Sequence, residues 1–321
     1  MKKSNLNRTS HFNELKKKLI LIFLILFIVE FSIFPYLSKG NDTKNEDPTP
    51  EYFSSMLYSV GRLASLNLDP ATREYLNKLN TSLFSNKKTI CVVLMYHNFY
   101  TDGPRKGGYY VRVDKFQKQL EILQELSFQP ITINDLYYFL KFNKKIPERS
   151  VILTFDDGFK SFNLVYLLIK QYKFNCVLSL ITGYIDSVWT LSKDDLLRFE
   201  KEGFVEFTSH TYKLHNNFEE VVKKKKYDNI KWDLEKSKEF FQKELGYKVI
   251  AFTYPWGYGS GDKDLKKILM SEGFVIGFDT WRRNVNVTGN DPLSIARIDI
   301  AETHSNDNPG KFREIIESLI D

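Results

Sequence analysis

A chain of 321 residues with 42% apolar content can bury one large core, and its two cysteines, Cys91 and Cys176, each lie inside an apolar strand-like run. That reads as unpaired core thiols and excludes a disulfide-stapled scaffold. The formal charge of +6 is confined to one end: residues 1–18 hold six Lys/Arg against Glu14, a net of +5, leaving +1 for the other 303 residues, so a nucleic-acid-binding surface is not implied.

Lys16, Lys17 and Lys18 precede "LILIFLILFIV", residues 19–29, and apolar character resumes after Glu30 as far as Leu37. This is either a secretory apolar core or a short membrane span with its positive flank inside. Because "PYLSKG" offers no small-residue cleavage site, the expectation for residues 1–38 is an uncleaved signal anchor rather than a signal peptide, although Glu30 and Pro35 make a poor match to the roughly 20 residues a bilayer asks for. Either reading exports the rest of the chain. The polar, proline-spaced "KGNDTKNEDPTPE" then reads as a stalk. Helices are expected over about 52–66 and 70–84, the second with Asp69 as N-cap, Pro70 at its first position, and Tyr75, Leu76, Leu79 and Leu83 on one face. Residues 39–88 therefore form a stalk with two short helices, and 89–321 one large domain.

From residue 89 short apolar runs alternate with helical patterns: "TICVVLMYH", "VILTFDDG", "FNCVLSLITG", "FVEFTSH", "VIAFTYPWG", "FVIGFDTW" and "LSIARIDI". Between them, "VDKFQKQLEILQELSF" carries Phe116, Leu120, Leu123 and Leu126 at helical spacing, and "DNIKWDLEKSKEFFQKELG" carries Ile230, Leu234, Ser237, Phe241 and Leu245. Strand and helix repeated this often predict a parallel sheet, here an α/β fold with a distorted (β/α) barrel of about seven strands. The run from Lys223 to Lys226 is expected to open a helix as a solvated face, and "GYGSG", residues 257–261, is a turn that lacks the spacing of a phosphate loop or a nucleophile elbow.

The reactive side chains fall at the C-terminal ends of these predicted strands: His97, Asp156 with Asp157, His210, and the "YPWG" turn from Tyr254 to Gly257. In an α/β barrel that rim is where loops converge over one mouth. In "VILTFDDGF" a buried strand runs straight into two carboxylates, an expensive arrangement unless something uses the charge. His210 and His215 are five residues apart, about 140° around a helix axis, so they can share a metal only on a loop or a strand-to-helix turn. With one carboxylate they make a three-ligand set that suits Zn²⁺ and leaves a position for water. The second carboxylate is then free to act as a base, since a cation on its neighbour relieves their repulsion.

These motifs resemble the NodB-type polysaccharide deacetylases, carbohydrate esterase family four, over about residues 91–297. "TFDDG" is similar to the family's first motif, which implies Asp156 as catalytic base and Asp157 as metal ligand. "SHTYKLH" resembles the second, implying His210 and His215 as the other ligands. "FTYPWG" resembles the third, implying that the Trp256 backbone N–H helps hold the oxyanion. The subgroup that de-N-acetylates exported poly-N-acetylglucosamine of biofilms begins with an "LMYH"-type strand, which implies His97 as general acid. Two departures stand out. No counterpart of the third motif's arginine precedes "FTYPWG", and "GFDTW", with Asp279 and Trp281, matches the fourth motif only loosely.

The resemblance implies a divalent cation, Zn²⁺ first with Co²⁺ or Ni²⁺ as alternatives, that activates a water for attack on an acetamide carbonyl while Asp156 takes its proton and His97 protonates the departing amine. The implied partner is an N-acetylglucosamine polymer: poly-N-acetylglucosamine, peptidoglycan or a chitin-like chain. The same site could serve O-acetyl removal from a polymer such as xylan, and a non-catalytic glycan-binding protein of this fold is the remaining alternative.

Overall fold

The computed structural model describes residues 89–103, 109–142, 144–280, 286–287, 290–301 and 307–320, and the expected anchor, stalk and N-terminal helices lie outside them. In chain order the strands are β1 (Ile90–Tyr96), β2 (Asn98–Tyr100), β3 (Tyr110–Arg112), β4 (Gln129–Pro130), β5 (Arg149–Phe155), β6 (Cys176–Leu180), β7 (Val205–Ser209), β8 (Ala251–Thr253), β9 (Ile276–Phe278) and β10 (Ile298–Asp299). The α-helices are α1 (Val113–Glu125), α2 (Ile133–Phe142), α3 (Asn163–Gln171), α4 (Lys193–Glu202), α5 (Phe218–Lys223), α6 (Tyr227–Leu245), α7 (Lys263–Ser271) and α8 (Pro309–Glu317).

Each apolar run expected to be a strand contains one. The main sheet has the order β10-β1-β5-β6-β7-β8-β9, every pairing is parallel, and the short β4 lies beside β5. Strands apolar on both faces suit a parallel sheet because both faces are covered. In β1, Val92, Leu94 and Tyr96 join the large cluster that includes Phe116, Leu120, Val165 and Ile169 of the flanking helices. The alternate residues Cys91 and Val93 join a smaller cluster with Ile152, Val177, Ala251, Ile276, Phe278 and Ile295. Side chains from both ends of the sheet can share that second cluster only if the sheet curls around it.

The curl is drawn together by one segment. Ile295 N–H donates to Gly277 O and Asp279 N–H to Ile295 O, both at 2.7 Å, while Ile300 N–H donates to Met95 O at 2.9 Å. Residues 292–300 thus bond to β9 at one end and to β1 at the other, and the distorted (β/α) barrel expected from the alternating pattern is formed.

The expected helical faces are buried: Phe116, Leu120 and Leu123 on α1, and Ile230, Leu234, Ser237, Phe241 and Leu245 on α6. The lysine run differs from its expectation. It does not open a helix but spans the break between α5 and α6, where Lys225 has φ +52°. Lys223 and Lys224 pair with Glu219 and Glu220 one turn earlier, which keeps this a solvated face. Cys91 and Cys176 are buried and unpaired, as expected.

Gly277 is where the closing segment comes nearest to the sheet. A Cβ there would lie 2.8 Å from both Leu293 O and the Tyr254 ring. Gly277→Ala should therefore push residues 292–295 off β9, costing about 1–3 kcal/mol as overpacking does. Urea unfolding should show a lower midpoint with an unchanged slope; an unaltered midpoint would mean that the segment is not tightly seated.

Candidate active site

The barrel delivers the six residues singled out from the sequence to one rim. His97 directly follows β1, Asp156 and Asp157 follow β5, and His210 follows β7. His215 opens a single turn of 3-10 helix, His215–Asn217, and Trp256 lies in the turn Pro255–Gly257 after β8. Backbone hydrogen bonds extend the sheet past the strand ends, with Asp156 N–H donating to Tyr96 O at 2.9 Å and His210 N–H to Leu180 O at 2.8 Å. All six line a cleft of about 240 Å³.

Asp157, His210 and His215 converge. Asp157 Oδ1 lies 3.5 Å from His210 Nε2 and 3.4 Å from His215 Nε2. Those separations are long for charge-assisted hydrogen bonds, whereas ligands held at about 2.0–2.1 Å around one tetrahedral cation stand roughly 3.4 Å apart. Asp157 Oδ1 is buried with no hydrogen-bond partner among the described residues. His210 Nδ1 donates to the Thr253 carbonyl at 2.9 Å, and His215 Nδ1 faces Asn216 Oδ1 at 3.2 Å, which leaves both Nε2 atoms turned toward Asp157. Burial, reinforced by His210, pushes the His215 imidazole down to about 4, so it is neutral as a ligand must be. Burial alone would raise the Asp157 carboxyl, but His210, His97 and His215 outweigh it and hold it below its ordinary value. The donor set fits a divalent cation.

Asp156 faces elsewhere, because Asp157 adopts φ +70° and turns the chain between the two carboxylates. Its oxygens accept from Arg297 Nη1 and Nη2 at 2.7 and 2.8 Å, a bidentate pair. Arg297 has no solvent exposure; its Nη1 also donates to Thr154 Oγ1 and its Nε to the Asp279 carbonyl. Burial would raise the Asp156 carboxyl, but the Arg297 guanidinium overrides that penalty and holds it well below the usual carboxylate range. Asp156 is thus a dry, ionised carboxylate.

Two side chains complete the rim. His97 stacks on Tyr109 with ring centroids 4.5 Å apart, and its Nε2 lies 3.9 Å from Asp156 Oδ2. Trp256 has φ +55° and a half-exposed ring 5.6 Å from that of His215. No arginine directly precedes "FTYPWG", and the guanidinium that meets Asp156 is that of Arg297, 141 residues away. Its signal in the sequence was an arginine inside the apolar strand "LSIARIDI", which burial permits only with a partner. Asp299, at the end of β10, also lines the cleft and was not anticipated. Asp279 contributes its carbonyl to Arg297, and Trp281 lies outside the described residues.

Residues 143–277 match the family profile described as polysaccharide deacetylase. Over that span the chain is similar to the polysaccharide deacetylases. The matched span holds Asp156, Asp157, His210, His215 and Trp256, while His97 and Arg297 of the same rim lie outside it. The chain is 25% identical over 286 residues to the poly-beta-1,6-N-acetyl-D-glucosamine N-deacetylase of Staphylococcus aureus (strain MRSA252), covering 86% of this chain and 90% of that one. Among solved structures, the Streptococcus pyogenes deacetylase PplD superposes with a TM-score of 0.63 at 24% identity, covering 72% of this chain and 99% of that one. IcaB from Ammonifex degensii gives 0.62 at 22%, covering 72% and 98%, and both show that the deacetylase fold is shared.

Replacing Arg297 tests the ion pair. Arg297→Met leaves a buried, uncompensated carboxylate and should cost about 3–5 kcal/mol near neutral pH. In the wild type the depressed Asp156 contributes stability above the unfolded carboxyl pKa and loses it as the pH falls toward the folded one. In the variant the carboxyl is raised instead, so the deficit should shrink on acidification and the acid limb of any activity profile should move up in pH. Stability curves that stay parallel between pH 4 and 8 would contradict the pairing.

Proposed function

We propose that this protein is a divalent-metal-dependent N-deacetylase of an extracellular N-acetylglucosamine polymer, with poly-β-1,6-N-acetyl-D-glucosamine as the first candidate. The observation that carries the reading is the placement of an ionised, arginine-held carboxylate beside an Asp/His/His ligand set, with a separate histidine facing that carboxylate. The name of the Staphylococcus aureus relative supports the substrate.

Asp157, His210 and His215 would hold the cation, for which Zn²⁺ is the first choice and Co²⁺ or Ni²⁺ substitutes. A bound cation supplies Lewis acidity, polarising the acetamide carbonyl and making a water more acidic. Asp156 accepts the proton that water gives up as its oxygen bonds to the carbonyl carbon; Arg297 keeps this base ionised until that moment. The Trp256 backbone N–H faces the developing oxyanion. His97, in its protonated form, delivers a proton to the sugar nitrogen as the C–N bond breaks, leaving acetate and a free amine. An amide needs such a proton because an amine anion is a poor leaving group, and His97 therefore favours N- over O-deacetylation. We extend the reading to location: the basic segment before Leu19 and the apolar run behind it would hold the domain at the outer face of a membrane.

Acetate release by the purified protein should be greatest on poly-β-1,6-N-acetyl-D-glucosamine when that polymer is compared with chitin oligomers and peptidoglycan. Activity on none of them, with acetate freed only from an O-acetylated polymer such as xylan, would replace this reading with an esterase.

The division of labour can be tested on the same preparation. Asp157→Asn should lose its metal, whereas Asp156→Asn should keep it and fall about 10²- to 10⁴-fold in turnover. His97→Ala should also keep its metal and should impair amide substrates more than an activated acetyl ester. Metal analysis beside acetate release reads all three; loss of metal from Asp156→Asn with retention in Asp157→Asn would exchange the two roles.

A further inference from the structure

The loop between His210 and His215 is held from both sides. On one side lies Asp233, a carboxylate of α6 that is 1% exposed. Its Oδ1 accepts from Tyr212 N–H at 2.7 Å, and its Oδ2 accepts from Lys213 N–H at 2.8 Å and Leu214 N–H at 3.1 Å. On the other side, Thr182 N–H donates to Thr211 O at 3.1 Å and Gly183 N–H to Tyr212 O at 2.9 Å. The approach is close enough that a Cβ on Gly183 would stand 2.6 Å from Tyr212 O. Three consecutive N–H groups therefore converge on one buried carboxylate, and two carbonyls of the same loop are taken by the turn after β6.

We propose that Asp233 is a positioning residue for the divalent cation: by gathering the amides of residues 212–214 it sets the path of the loop, and so the direction in which His215 meets His210 and Asp157. The need is physical. Five residues of spacing do not bring two imidazoles together on a helix or a strand, so the loop must adopt one path, and Thr211 already sits at φ +78° within it. A buried carboxylate accepting three amide hydrogen bonds is a strong local restraint, and groups that orient metal ligands in this way typically govern about 10- to 100-fold in metal affinity. Ser237, one turn along α6, extends the contact through Ser209 Oγ at 2.8 Å, just before His210. The inference rests on the metal-site reading given above.

The test is Zn²⁺ affinity of the full chain, measured by competition with a chromophoric chelator for the wild type and Asp233→Asn. One amide oxygen cannot replace both carboxylate oxygens, so the variant should bind Zn²⁺ about 10- to 100-fold more weakly. Its acetate release should recover as Zn²⁺ is raised, with kcat changing far less than the metal requirement. A variant that melts at a lower temperature yet binds Zn²⁺ as the wild type does would show a purely structural role and overturn the proposal. A wild type that binds no Zn²⁺ would overturn the metal-site reading itself. If Asp233→Asn does not fold, amide hydrogen exchange on the wild type decides: Tyr212, Lys213 and Leu214 should be protected equally with and without Zn²⁺, and protection that appears only with Zn²⁺ would refute a loop set by Asp233.

Discussion

The bidentate pair between Arg297 and Asp156 ties the architecture to the chemistry. Two buried charges are tolerated only when each satisfies the other, and here the guanidinium uses its remaining donors on Thr154 Oγ1 and the Asp279 carbonyl. Arg297 lies within the segment that bonds to β9 and β1, so the pair forms only when the sheet has curled and that segment is in place. Barrel closure thus brings in the cation that keeps Asp156 ionised once it is buried. The small residue Gly277 is part of the same condition, because a side chain there would hold the closing segment away.

Two adjacent aspartates consequently live in different electrostatic surroundings. Asp156 answers to a permanent cation inside the barrel, while Asp157, turned by its positive φ, answers to two imidazoles at the rim. Neighbouring carboxylates would otherwise resist ionising together. In the proposed mechanism, separating them by a backbone flip gives one chain position to proton transfer and the next to metal binding, and pairs of titratable groups with divergent environments are a common foundation for acid–base division.

Much of the fold was legible from the chain alone, because its signals are local. The seven apolar runs from "TICVVLMYH" to "LSIARIDI" each contain a strand of the main sheet, and the spacing of Ile230, Leu234, Ser237, Phe241 and Leu245 marks the buried face of α6. The lysine run misled in one respect: charge density reads as a solvated helix, whereas the chain breaks at Lys225, where φ is positive. Asp233 was invisible for a related reason. It sits among charged residues on an amphipathic helix, and only packing shows that it points inward to three amides rather than outward to water.

The sequence by itself determined the alternation of strands and helices and the arrival of His97, Asp156, Asp157, His210 and the Trp256 turn at strand ends, since hydrophobic period and motif spacing act over a few residues. Only the tertiary structure decided which distant charge would meet Asp156, and how the five-residue interval between the histidines would be bent to face Asp157. Arg297 is 141 residues from its partner, and no local pattern specifies that pairing. Burial imposes it: once the barrel closes, a carboxylate and a guanidinium out of reach of water have only each other and a few fixed dipoles to replace solvation.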